Sequence, residues 1–221
     1  EGAPETAHVV RNGIDLSEWP QGGPGDGSAV WAGRITPTKG THLAAEAAQI
    51  AGVPLRIYGV VEHQDYFNDM VRPHLYDDVA YVGHLDTEAL GRAYGRASVA
   101  LFTPQWEEPF GLAAVEAMAT GLPVAATPHG AVKEVLGEAG VIAVDDTPES
   151  LAEALRQALA IPAEVPRARV ARLFDAQAMV TKFERLYHAA LAQGDAVVPH
   201  RTYPAIALHV EGADRPLAEA G

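Results

Sequence analysis

The sequence predicts an α/β fold built on a parallel sheet. Two observations carry that expectation: short apolar runs rich in Val, Ile and aromatics recur along the chain, and helical stretches separate them. Such runs suit strands buried on both faces, and their alternation with helices suits a sheet covered on both sides. A third observation bounds the class. At 221 residues with 48% hydrophobic and 20% charged residues, the chain can bury a sizeable core as one large or two small domains.

In order, Val9-Val10-Arg11-Asn12-Gly13-Ile14-Asp15 reads as a short strand entering an Asn-Gly turn, and residues 21–27 as a Gly-rich loop. Six strands are expected at residues 29–32, 55–59, 79–82, 99–103, 123–126 and 141–144. Helices are expected at 41–51, 64–71 (a poor pattern), 87–96, 112–120 and 132–136. Three more follow the sheet, at 148–160, 163–173 and 176–192. The first opens on Asp146-Thr147-Pro148, a capping residue before a proline at the first turn. In the last, Met179, Phe183, Leu186, Tyr187 and Ala190 share one face at helical spacing, as core packing requires. The chain thus divides into a Rossmann-like three-layer α/β/α domain, residues 1–193, and an irregular tail, residues 194–221, where periodicity ends and Pro and Gly collect.

Composition excludes several partners. Sixteen Lys and Arg against 29 Asp and Glu give a net charge of −13, which disfavours nucleic acid and anionic membrane. The absence of cysteine rules out disulfides and thiolate metal sites and fits a reducing, cytoplasmic setting. No apolar run is long enough to span a bilayer, and Glu1-Gly2-Ala3-Pro4-Glu5 is not a signal peptide. Without an initiating Met, the chain reads as a trimmed piece of something longer.

The most informative segment is Glu108-Pro109-Phe110-Gly111-Leu112-Ala113-Ala114-Val115-Glu116. Pro109 holds Glu108 extended. Gly111 permits a close backbone approach where a helix begins. Free N–H groups and the positive end of the helix dipole suit an anion there. Glu116 follows about a turn and a half later. The spacing fits a ligand with a phosphate for the N–H groups and hydroxyls for the two carboxylates, as a nucleotide sugar has. A Gly turn before an Ala-rich helix is also common packing, and both Glu residues could be solvated surface.

A second motif joins the first central strand to its helix. Gly33-Arg34-Ile35-Thr36-Pro37-Thr38-Lys39-Gly40 is neither a P-loop nor a dinucleotide turn. It presents Arg34 and Lys39, five apart, beside a helix start where cations oppose the dipole and need another reason to stand. Arg can fork onto two phosphate oxygens and Lys acts as a point charge. Both motifs follow a strand's carboxyl end, where open α/β sheets bind ligands.

Together these segments resemble the donor-binding domain of group 1 (family 4) retaining glycosyltransferases, enzymes of the two-domain GT-B architecture. Five pieces match in order over about residues 8–192: Asn12-Gly13-Ile14-Asp15; Gly33-Arg34 to Lys39-Gly40; Tyr81-Val82-Gly83-His84-Leu85; the Glu-x7-Glu segment Glu108 to Glu116 with Gly121-Leu122-Pro123-Val124; and Gly130 to Glu134. His129 departs from the pattern, standing where the first Gly of a Gly-Gly-x-x-Glu turn is usual. The resemblance implies a one-domain half of GT-B whose acceptor-binding N-terminal domain is missing, so that the chain alone transfers little or no sugar. It implies that Arg34 and Lys39 neutralise the diphosphate, and that the N–H groups around Phe110, Gly111 and Leu112 hold a phosphate or the donor sugar. Glu108 would contact sugar hydroxyls near the reacting carbon, Glu116 both ribose hydroxyls, and the Gly33 turn would admit the diphosphate. The Gly83-His84-Leu85-Asp86 segment would flank the base. The expected partner is a UDP-, GDP- or ADP-sugar, with no cofactor and no metal.

Other residues read more plainly. Neither Asp-x-Asp nor His-Glu-x-x-His occurs. Asp77-Asp78 and Asp145-Asp146 read as caps and turns. Trp106 is placed either to lid a sugar or to pack against another domain. Half of a sugar-nucleotide epimerase and a stand-alone nucleotide-sugar-binding module are the competing functions.

Overall fold

A computed structural model describes residues 8–192. The tail expected from residue 194 lies outside the described residues, as do residues 1–7. The chain clusters into one unit to Glu184 and a second from Arg185, of which only the last turns of a helix are described.

The first unit is built on a six-stranded, all-parallel sheet: β1 Ala29–Ala32, β2 Leu55–Tyr58, β3 Val79–Gly83, β4 Val99–Phe102, β5 Val124–Ala126 and β6 Gly140–Ile142. Their order is β3-β2-β1-β4-β5-β6. The order reverses between β1 and β4, so the crevice expected of a doubly wound sheet opens there. Each strand falls within a residue or two of its expected place. The largest shift is in β6, which starts at Gly140 because Val124–Ala126 pairs with Gly140–Ile142.

Alternation along the strands separates two cores. Ala29 and Trp31 of β1, Leu55 and Ile57 of β2, and Val99 and Leu101 of β4 face one side. There α1 Thr41–Ala51 and α6 Pro148–Ala158 cover them with Ala44, Ala48, Leu151 and Leu155. Val30, Ala100, Phe102, Val124 and Ala126 face the other side. There they meet α3 Thr87–Tyr94, α4 Leu112–Ala119, α5 Val132–Leu136 and α7 Glu164–Leu173 through Tyr94, Val115, Met118, Leu136 and Val170. The small Ala side chains of α1 and α4 let both helices lie close to the sheet.

The helix after β2 is irregular. One turn, α2 Gln64–Tyr66, runs into a π-helical turn and a 3-10 turn ending at His74. That explains the weak periodicity there, since neither turn type keeps the 3.6-residue repeat. The final helix is α8 Ala176–Ala192.

Two expectations are corrected. The face of α8 expected to pack as core is not buried: Phe183 and Tyr187 are 40% and 65% exposed, and no residue of α8 is fully buried. Residues 9–15 form no strand. Only Ile14 pairs, in a single bridge to Asp175 between α7 and α8, with Ile14 N–H donating to Phe174 O at 2.9 Å. Two valines followed by Arg, Asn and Gly cannot fill both faces of a buried strand. The Asp pairs do serve turns and caps. Asp145 accepts from the Thr147 hydroxyl and N–H ahead of α6, and Asp77 takes the left-handed conformation at φ 51°.

Candidate functional site: a mouth at the switch point

The mouth is made by loops that leave the carboxyl ends of β1, β2, β3 and β4. Gly33 N–H donates to Tyr58 O at 3.1 Å and Gly59 N–H donates to Gly83 O at 3.0 Å, which draws the first three strand ends together. Only glycine fits at 59: φ is 147°, and a Cβ there would lie 1.7 Å from Gly33 O.

The β1 loop is stapled to the end of β4. Trp31 Nε1 donates to Thr103 Oγ1 at 2.9 Å, and that hydroxyl donates to Lys39 O at 2.8 Å. Gln105 N–H donates to Thr38 O at 2.8 Å. A 3-10 turn at Pro37–Lys39 and a left-handed Gly40 then turn the chain into α1. Lys39 is thereby held over the segment that carries Glu108. Its Nζ lies 2.6 Å from Glu108 Oε2, and Trp106 Nε1 donates to the same oxygen at 3.1 Å. The ammonium also stands 5.5 Å from the centre of the Trp106 ring, within cation–π reach. Trp106 is thereby a partner of Glu108, while 44% of its surface stays exposed. Arg34 instead reaches outward, 68% exposed, and pairs with Glu62 Oε2 at 3.1 Å.

Gly111 opens α4 at φ 94°, and its carbonyl accepts from Ala114 N–H at 3.1 Å. The N–H groups of Leu112 and Ala113 precede that first bond. Both residues line a cavity of about 440 Å³ with Gly33, Arg34, Lys39 and Glu116. An adjoining lobe of about 220 Å³ shares Gly33, Arg34, Ala113 and Glu116 and continues over Tyr58, Val60, His84 and Leu85. Burial alone pushes the Glu116 carboxyl above the usual carboxylate range.

The structure therefore brings Gly33, Arg34, Lys39, His84, Leu85, Leu112 and Glu116 to one space. Gly83, Glu108, Phe110 and Gly111 do not line it. Phe110 turns away and packs edge-on against Phe174, ring centres 5.5 Å apart. Glu108 is buried behind Lys39. Asp86 caps α3 by accepting from Ala89 N–H at 2.8 Å. The turn after β5 braces Glu108: Ala131 N–H donates to Glu108 O at 2.8 Å, and Gly130 packs on the Glu107-Glu108 backbone so tightly that a Cβ would lie 2.3 Å from Glu108 O. Counted back from Glu134, a Gly-Gly-x-x-Glu turn has its glycines at 130 and 131, so the departure falls on Ala131 and not on His129, and the close approach at Gly130 is intact. His129 Nε2 instead bonds both carboxylate oxygens of Asp146 at 2.8 and 2.9 Å.

Glu62 carries no signal of its own in the sequence; only the continued β1–β2 pairing, with Ile35 bridged to Val61, sets it beside Arg34.

Residues 24–172 match the family model for group 1 glycosyl transferases. The chain belongs to that family. It is 35% identical over 200 residues to a glycogen synthase of Mycobacterium tuberculosis, covering 82% of this chain and 48% of the relative. It is 29% identical to an MMP alpha-(1->4)-mannosyltransferase of Mycolicibacterium hassiacum, covering 86% and 50%. The chain thus spans about half the length of the curated relatives it matches. Among solved structures it is similar to AviGT4, a glycosyltransferase involved in avilamycin A biosynthesis, at a TM-score of 0.77 and 23% identity over 85% of this chain and 59% of that one. It is also similar to Anabaena Alr3699/HepE in complex with UDP-glucose, at a TM-score of 0.72 and 22% identity over 85% and 59%. Its fold is that of the C-terminal domain region of group 1 glycosyltransferases. No described helix is long and apolar enough to cross a membrane.

Proposed function

We propose that this chain is the donor-binding half of a retaining GT-B glycosyltransferase that moves a sugar from a nucleoside-diphosphate sugar to an acceptor. The reading rests on one observation above all: Arg34, Lys39, the first turn of α4 and Glu116 line one cavity at the sheet's switch point. The family match and a relative solved with UDP-glucose support a nucleotide-sugar donor.

Each role follows from chemistry. Arg34 and Lys39 stabilise the diphosphate, whose charge grows as the sugar–oxygen bond breaks. The N–H groups of Leu112 and Ala113 add a fixed positive end without a further ionisable group. Glu116, at the junction of the two lobes, accepts from the ribose hydroxyls. The mainly apolar lobe over Val60, His84 and Leu85 holds the base. Glu108 takes the sugar hydroxyls once free of Lys39. Catalysis is positioning plus stabilisation of the leaving group, and we assign no metal to it. The acceptor site comes from a second domain, and the work is done in the reducing cytoplasm.

Saturation-transfer NMR over UDP-, GDP- and ADP-sugars tests the reading. One nucleotide should give base and ribose contacts, with binding weakened about ten- to a hundredfold by Arg34→Ala or Lys39→Ala, since a charge-assisted hydrogen bond contributes roughly 1.5–3 kcal/mol. Unchanged affinity in both variants would end the phosphate assignment.

A further inference from the structure

Both cations at the mouth already hold carboxylates. Lys39 Nζ is 2.6 Å from Glu108, with side chains only 21% and 9% exposed. Arg34 Nη1 is 3.1 Å from Glu62. The Lys39 pair is nearly closed off and the Arg34 pair is exposed, but in both the carboxylate is delivered by the fold. Glu62 is carried there by backbone pairing that runs past the strand ends: Ile35 N–H donates to Val60 O at 2.9 Å and His63 N–H donates to Ile35 O at 3.3 Å. Glu108 is fixed by Trp106 and by the Gly130 turn.

We propose that Glu62 and Glu108 are built-in counter-ions that a diphosphate must displace, and that Glu108, on release, makes the mouth favour an intact nucleotide sugar over a bare diphosphate. The proposal rests on the donor-site reading above. An ammonium 2.6 Å from one carboxylate cannot take a phosphate oxygen without setting two anions against each other. Glu108 must then leave Lys39. Orthophosphate or pyrophosphate gains only the cations it wins from the two carboxylates. A nucleotide sugar also gains the base lobe and Glu116, and its sugar hydroxyls meet the carboxylate just released. Glu108 therefore opposes a bare diphosphate and favours one that carries a sugar. Glu62, which has no sugar to meet, opposes both equally. In a chain of net charge −13, internal neutralisation also keeps two cations from drawing stray anions.

Calorimetry on the full chain separates these effects, with pyrophosphate, a nucleoside diphosphate and the matching nucleotide sugar as probes. Glu62→Gln should bind pyrophosphate about two- to fivefold tighter, the scale of an exposed ion pair. It should also keep the wild-type preference for the nucleotide sugar over the diphosphate. Glu108→Gln should bind pyrophosphate roughly tenfold tighter. It should lose that preference. Part of the emission change on pyrophosphate binding to wild type should be lost in Trp106→Phe, the remainder coming from Trp31, which lines the same cavity; this readout needs neither glutamate variant to fold. Unchanged or weaker pyrophosphate binding in both variants at wild-type Tm, or a silent Trp106 at saturation, would overturn the counter-ion role while leaving the donor site standing. No binding of any phosphate probe to wild type, even at low salt, would overturn both.

Discussion

Glu116 is the residue whose ionisation says most about the site. Its carboxyl titrates above the ordinary carboxylate range because burial disfavours the charge. A raised folded-state value means stability present at low pH is lost as pH rises through it. Glu116→Gln should therefore raise Tm relative to wild type at pH 8 and much less at pH 4; equal shifts at both would show that the carboxylate is not penalised. A second substitution at this position reports on binding. If Glu116 accepts from both ribose hydroxyls, Glu116→Ala should weaken a ribonucleoside diphosphate about tenfold or more and its 2′-deoxy form less, as competition binding measures. Equal losses would remove that role. Acidification should likewise weaken donor binding, starting above the usual carboxylate range, as Glu116 takes up a proton.

At the scale of elements, the six strands and most helices were legible because apolar runs buried on both faces leave an unbroken signature, and because β1 and β4 end directly at charged motifs. Lys39 and Glu116 were legible as site residues for the same reason: each sits a fixed number of residues past a strand end. What stayed hidden is contact between separate loops. Nothing local to Glu62 points to Arg34, and nothing local to Lys39 points to Glu108; the first partnership arises from pairing of β1 with β2 and the second from pairing of β1 with β4. Phe110 misled because it adjoins the Gly111 turn, whereas its ring belongs to the core formed with Phe174. The strand ends themselves make a prediction. Gly59→Ala places a methyl group against Gly33 O in a backbone conformation that suits glycine alone. It should cost at least about 2 kcal/mol, or roughly 4–8 °C in Tm for a domain of this size, by thermal denaturation. A wild-type Tm would mean that the two glycines do not meet.

For the whole molecule, the chain spans about half the length of its curated relatives. Donor hydrolysis and transfer assays on this chain alone should show no turnover above background. Chelation should leave nucleotide binding unchanged, whereas a divalent-metal requirement would contradict a site that relies on Arg34, Lys39 and a helix terminus for its positive charge. The central claim is that these groups and Glu116 serve a single ligand. Backbone amide NMR during titration with the preferred nucleoside diphosphate tests it most directly. The account predicts saturable shifts that share one dissociation constant across Gly33 to Gly40, Gly83 to Leu85 and Leu112 to Glu116. Shifts confined to one of these segments, or centred elsewhere, would contradict it.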